Sequence, residues 1–229
     1  MTSFTGVNSD VVTGVIYRVA LQADCSLSPE PLFESTELTD DLIQGSARLT
    51  AFFQILDGIA AKREKVVVFV QHFDVQTVVA RAIQTRYKLD HIPGKINGKM
   101  ATEARQKVVT AFQNGLPGFD AVVLTGRAAG TGLTLTAANH VIHLERWWNP
   151  AVEDQCSDRV FRIGQTKDVT IHIPLALLPP SEPQSFDATL NDFLEKKRSR
   201  STSVLLPSLP SEGDKAFMAS FFKSEEDKV

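Results

Sequence analysis

From residue 46 onward the chain alternates between two kinds of apolar pattern. Leu49, Phe52, Phe53, Leu56 and Ile59 recur at helical spacing behind Ser46, which can cap the helix. Val66 to Val70 is a continuous β-branched and aromatic run, as a strand buried on both faces requires. The spacing then predicts a helix over Val75 to Tyr87, capped by Asp74, with Val78, Val79, Ala82 and Ile83 inward. A weaker strand, Leu89 to Ile96, is interrupted by Pro93-Gly94, and Thr102 to Gln113 reads as a helix. Ala121 to Thr125 and Val141 to Leu144 are short apolar strands. Pro150, at a first-turn position behind Asn149, opens a helix expected to stop at Gly164, and Val169 to Ile173 is a last strand. Strands alternating with helices argue for βαβ units and an α/β fold, a mainly parallel sheet covered on both faces.

The flanks are less regular. Before residue 46 a β-type run, Val11 to Leu21, leads into a Ser/Pro/Glu-rich stretch, Ser26 to Asp41, expected to be an exposed connection. Residues 46–176 form the α/β domain. Residues 177–229 hold a Pro/Ser linker (Leu178 to Ser185), an amphipathic helix with Phe186, Leu190, Phe193 and Leu194 on one face and a basic end, and a tail with a last short helix, Asp214 to Lys223.

Composition narrows the function classes. A 43% hydrophobic, 22% charged chain of 229 residues can bury a sizeable core, which excludes global disorder, collagen and a small disulfide scaffold. With 24 basic against 27 acidic residues the net charge is −3, so any nucleic-acid site is a local patch rather than a whole-chain field. Cys25 and Cys156 are far apart and without CxxC spacing, which points to a reducing compartment and no structural zinc. No run of 18 apolar residues exists, and Met1 to Tyr17 lacks the pattern of a signal peptide. The expectation is a cytoplasmic protein without a membrane partner.

Two segments carry candidate chemistry. Ligands of parallel α/β sheets bind at the carboxyl ends of strands. There Gly126-Arg127-Ala128-Ala129-Gly130-Thr131-Gly132 follows Ala121–Thr125, with Gly130 and Gly132 permitting close backbone approach and Arg127 supplying charge. A plain turn is the competing reading. Further on, Gln155, Arg159 and Arg162 fall at i, i+4 and i+7 and would share one helix face. Paired guanidiniums suit the charge of a transferred phosphoryl group. A solvated polar face, with Asp158 paired to Arg162, fits the spacing equally well.

The motifs in their order decide between these readings. Gln155-Cys156-Ser157-Asp158-Arg159-Val160-Phe161-Arg162-Ile163-Gly164-Gln165 resembles the last helicase motif of the Swi/Snf family of superfamily-two ATPases, usually QAxDRxHRIGQ. Val123 to Leu135 resembles that family's LSTxAGGxGLNL motif, and is followed by Ala137 to Ile142 and by Arg146-Trp147-Trp148-Asn149-Pro150. Val66 to Gln71, and Ile96-Asn97-Gly98 with Arg105 and Phe112, match the earlier motifs. The likeness covers about 46–176, and the bacterial type, with Phe161 where remodellers often carry His, is nearest. Gly126 and Ala129 stand where the motif commonly has Thr and Gly, and Thr134 where it has Asn.

The resemblance implies a RecA-like second lobe with a C-terminal helical extension. ATP with Mg2+ would be bound mainly by a first lobe, while Arg159 and Arg162 serve as arginine fingers and Gln155 positions beside them. Gly130 and Gly132 would line the nucleotide cleft. Gln71, Thr125, Arg127 and Trp148 would face double-stranded DNA. Of Trp147 and Trp148, one is expected buried and one available. Residues 1–45 would be the end of the insertion joining the lobes, and 186–200 a brace-like helix packing toward the N-terminal RecA-like lobe of the same protein.

No G-x-x-x-x-G-K-[ST] occurs; Gly94 to Met100 is one residue short between its glycines and lacks the hydroxyl. No apolar strand ends in an Asp-Glu pair, and no histidine falls at H-E-x-x-H spacing, so no metal ligands are assigned. The expectation is half an active site, inactive alone: the C-terminal motor lobe of a double-stranded-DNA translocase, nucleoid-associated if bacterial. A non-catalytic DNA- or protein-binding module derived from such a lobe is the alternative. An RNA helicase is disfavoured by Asp158-Arg159 and the Trp-Trp-Asn-Pro run.

Overall fold

Alternate residues of one strand feed two separate cores. The computed structural model describes residues 38–126, 132–178 and 184–201, together with the backbones of two earlier strands. Strand β3 (Lys65–Val70) is buried at every position. Its Val66, Val68 and Val70 pack on one side with α2 (Ala47–Ala61) and α3 (Phe73–Tyr87), while Val67 and Phe69 pack on the other. That second layer holds Val109 and Phe112 of α4 (Thr102–Asn114) and Cys156 of α5 (Pro150–Ser157). Side chains that alternate across a pleat thus explain the unbroken apolar run. Each such Val contributes roughly 1.5–3 kcal/mol by leaving water.

The remaining strands are β1 (Thr2–Ser3), β2 (Val15–Gln22), β4 (Gly94–Ile96), β5 (Asp120–Thr125), β6 (His140–His143) and β7 (Thr170–Leu177). The sheet order is β1-β2-β7-β6-β3-β5-β4. Every neighbouring pair is parallel except β1 with β2. Val70 lies opposite Thr125 and Ile96 opposite Leu124, so β3, β5 and β4 end at one edge. This is the mainly parallel, doubly covered sheet expected from the alternation, and the RecA-like lobe that the resemblance implied.

Local details depart from the pattern. Ser46 caps α2 as expected, its hydroxyl accepting from the Leu49 N–H at 3.3 Å. The α3 cap is His72 rather than Asp74, which instead sits in the first turn where its charge suits the helix dipole. The inward stripe of α3 is Gln76, Val79, Ala80 and Ile83, while Val78 is only half-buried. β4 keeps three residues of the expected eight, because Pro93 has no N–H for a ladder.

The largest departure concerns α5, which ends at Ser157 and not at Gly164. Asp158 closes it in helical geometry, and turns follow through the Arg159 and Val160 N–H groups. The Arg159 carbonyl accepts from the Leu135 N–H at 2.8 Å, and Val160 is fully buried in the second core. A tertiary hydrogen bond and a buried valine outcompete the rest of the expected helix, residues 158–163.

By compactness the chain divides into Met1–Leu194 and Glu195–Val229. In the first unit, α6 (Phe186–Ser201) begins at the sheet: Asp187 accepts from the Ala176 N–H of β7 at 2.8 Å and from the Arg48 guanidinium of α2. Leu190 and Leu194 are buried, but Phe186 is exposed, against expectation, because Asp187 takes the inward place beside it. In the second unit Arg198 pairs with Glu195 at 3.1 Å. The stretch 23–37, the linker residues 179–183 and the expected helix Asp214 to Lys223 lie outside the described residues. Among the described residues, no helix is long and apolar enough to cross a membrane.

Candidate functional site

Two separated motifs meet along the segment that leads to β6 from the end of β5, which lies at the carboxyl edge of the sheet. The Arg162 Nη1 donates to the carbonyls of Gly132 and Leu133, at 3.1 and 3.2 Å, and to the Thr134 hydroxyl at 3.1 Å. Gly132 is exposed, with φ +69, a backbone state that a side chain strains to adopt. Gln165 adds a second staple, donating to the carbonyls of Thr136, Ala138 and Val160. Segment 132–138 and segment 158–165 are therefore tied together by side-chain and backbone hydrogen bonds.

Arg159 is half-buried, and its Nε–H is buried without a partner among the described residues. Leaving a buried donor unmatched costs about 1–3 kcal/mol, which an incoming acceptor would recover. Asp158 does not pair with Arg162; burial, and then the like charge of Asp154, raise its carboxyl above the usual range. Gln155 is exposed on α5. Because α5 stops at Ser157, Gln155, Arg159 and Arg162 do not lie on one helix face as the i, i+4, i+7 spacing implied. Arg127 and Gly130 lie outside the described residues.

Thr125 closes β5 at this edge, and its hydroxyl is buried without a partner among the described residues. Gly126 follows, and the indole of Trp147 fills the space where a side chain would stand. Gln71, after β3, gives its backbone N–H to the Glu145 carboxylate and its side-chain amide to the Arg146 carbonyl. Trp148 is half-buried and packs on Phe193 of α6, centroids 5.3 Å apart. Trp147 is half-buried as well, its Nε1 buried without a partner. The expectation of one buried and one available indole fails, because each rings a different neighbour.

Sequence reasoning missed the group that holds these residues. Arg146 and Glu153, both buried, form a two-pronged pair: Nε to Oε1 at 2.7 Å and Nη2 to Oε2 at 3.1 Å. Asn191 of α6 accepts from Arg146 Nη1 at 3.0 Å, and Glu153 also accepts the Trp147 N–H at 2.9 Å. His143 of β6 donates to the Ser157 hydroxyl at 3.0 Å, which donates in turn to the Glu153 carbonyl. Burial lifts the thiol of Cys156, and Glu153 adds to it, to about 12, so this cysteine stays protonated. Opposite charges seven apart, across Pro150, were the available signal. Among the described residues, no cluster of three or more His, Cys, Asp or Glu could hold a metal.

The family described as Helicase conserved C-terminal domain matches residues 47–164. The Zorya protein ZorD of Escherichia coli O139:H28 is 34% identical over 84% of this chain and 17% of its own length. The putative ATP-dependent helicase/translocase YwqA of Bacillus subtilis is 33% identical over 75% of this chain and 18% of its own. The chain thus spans under a fifth of the curated relatives it matches. Among solved structures, the Sulfolobus solfataricus SWI2/SNF2 ATPase core in complex with dsDNA superposes with a TM-score of 0.56. It is 28% identical, over 76% of this chain and 35% of that one.

Proposed function

Because the chain belongs to the helicase conserved C-terminal domain family, in its Swi/Snf branch, we propose that it is the C-terminal motor lobe of an ATP-dependent double-stranded-DNA translocase. In this reading Arg159 and Arg162 act as arginine fingers on the γ-phosphate, with Gln155 beside them. Gly130 and Gly132 line the nucleotide edge, and Gln71, Thr125, Arg127 and Trp148 meet the duplex. ATP with Mg2+ is held mainly by an N-terminal RecA-like lobe of the same protein. Residues 1–45 end the insertion between the lobes, 46–176 are the lobe itself, and 177–229 are linker, brace-like helix and tail. Alone, the chain does not hydrolyse ATP.

The observation that carries the reading is the buried Nε–H of Arg159, unmatched among the described residues and three residues from Arg162, whose guanidinium bonds to the Gly132 carbonyl. A phosphate oxygen would supply the missing acceptor. Guanidinium groups bind phosphate through paired donors, so they suit charge as it develops on the transferred group. Supporting it, one relative's name includes ATP-dependent helicase/translocase, and a structural relative was solved with dsDNA.

One observation favours the alternative, a binding module: Arg162 is engaged by carbonyls of its own lobe. The test is ATP hydrolysis by the longer protein carrying this chain, with and without duplex DNA, beside Arg159→Ala, Arg162→Ala and the chain alone. Fingers contribute about 10³–10⁵ in rate. Duplex stimulation with both variants dead and the chain silent is the expected result. Normal hydrolysis by the variants would leave the binding module standing.

A further inference from the structure

A salt bridge deep in the protein is an unpromising source of stability. Apolar residues of the same volume often hold a core as well or better than a buried ion pair. The Arg146–Glu153 pair is nonetheless sealed from solvent, with side chains 3% and 1% exposed. What a fork supplies and a hydrophobe does not is direction: a planar guanidinium bound through two nitrogens fixes distance and angle together.

The direction matters because of what converges here. The Arg146 backbone carbonyl holds the side-chain amide of Gln71, and the next residue but one is Trp148. Glu153 sits on α5 and takes the Trp147 N–H, while its own carbonyl takes the Ser157 hydroxyl at 3.1 Å, at the last helical residue before Arg159. The third leg is Asn191 of α6, beside Phe193, on which Trp148 packs. From Gln71 through Arg146 and Glu153 to Ser157 there is a run of buried or half-buried hydrogen bonds, and Ser157 stands two residues before Arg159 in the chain.

We propose that Arg146 is a positioning residue, which couples the duplex-facing groups Gln71 and Trp148 to the Arg159–Arg162 segment through its fork on Glu153. This rests on the motor reading above. A shift of the 145–149 loop on meeting a duplex is passed to α5 as a rigid displacement, because the fork does not stretch or turn. A misplacement of about 1 Å at a reacting centre costs on the order of 100-fold in rate, so a small displacement is enough to matter.

The test uses the full-length protein and compares Arg146→Lys, which keeps the charge but loses the fork, with Asn191→Leu, which removes only the α6 leg. ATP turnover is measured with and without duplex DNA, with the KM for ATP. For Arg146→Lys the duplex-stimulated kcat should fall on the order of 10- to 100-fold. The duplex-free rate and the KM for ATP should stay within about two-fold. Asn191→Leu should fall part of the way, with the same split. Full stimulation in a folded Arg146→Lys, or stimulated and unstimulated rates falling in proportion, overturns the proposal. If Arg146→Lys does not fold, Asn191→Leu decides by the same split. If the unmutated protein hydrolyses ATP and ignores duplex DNA, the motor reading itself fails and takes this coupling with it. That outcome is told apart by appearing before any substitution is made.

Discussion

The Trp147 indole occupies the place where Gly126 would carry a side chain. A Cβ at 126 would stand inside the van der Waals envelope of the six-membered ring, so the glycine and the tryptophan are two halves of one contact. The Swi/Snf motif that this segment resembles commonly has Thr at that position, and here the ring has taken its space. Gly126→Thr should therefore destabilise the chain by about 1–3 kcal/mol, the usual cost of overfilling a packed site. Pairing it with Trp147→Ala should cost less than the sum of the two single changes, as expected of residues in contact. Urea unfolding of the four proteins checks both statements.

His140 and His172 bond to one another at 3.1 Å, and His140 reaches Glu64 at 2.8 Å. Burial lowers the His172 pKa to about 3, with His140 and then Lys62 adding to it. Burial lowers that of His140 too, partly offset by Glu64. Burial alone would raise Glu64, but its bonds from His140 and Asn139 bring it below the usual range. Both imidazoles are thus neutral, His172 donating to His140 and His140 to Glu64. The unfolded chain binds protons that the folded one refuses, so stability is complete above about pH 6.5 and declines as pH falls toward 3. For one such group the slope approaches about 1.4 kcal/mol per pH unit. Unfolding midpoints across that window should fall steeply for the wild type and less steeply for His172→Gln.

Gln76 is an amide inside an apolar stripe, and its three side-chain bonds reach β4, β5 and the residue after β4. Its Nε2 donates to the Ile96 carbonyl of β4 at 2.9 Å and to the Val123 carbonyl of β5 at 2.8 Å, while Asn97 donates to its oxygen. Gln76→Leu leaves two carbonyls and one amide without a partner, and should cost about 1–3 kcal/mol. Hydrogen exchange should quicken at β4 before it does at β3.

Asp187 ties the start of α6 to the sheet through the Ala176 N–H and the Arg48 guanidinium. Arg48 is 35% exposed, so the half-buried Ala176 N–H carries most of the effect. Asp187→Ala should lower stability by about 1–2 kcal/mol and speed proteolysis within α6. Asp187→Asn should recover part of both. Limited digestion of the three chains, followed by mass, separates the cases.

The sequence alone determined the α/β alternation, the mainly parallel sheet and the order of the motifs. These follow from local periodicity, since a strand buried on both faces and a one-sided helix leave different traces in hydropathy. It also marked Arg159, Arg162, Gln71, Thr125 and Trp148 one by one. Only the tertiary structure decided how they stand. The stop of α5 at Ser157 depends on a hydrogen bond from Leu135, twenty-four residues earlier, and on the burial of Val160 in a core made elsewhere. The half-buried state of both tryptophans depends on Gly126 and Phe193. Arg146 stood in the sequence only at the head of the Trp-Trp-Asn-Pro run, and it is joined to Glu153 and Asn191 only where three elements enclose them. Periodicity records which side of an element faces inward, but not which distant partner waits there, and at this edge of the sheet the partners set the geometry.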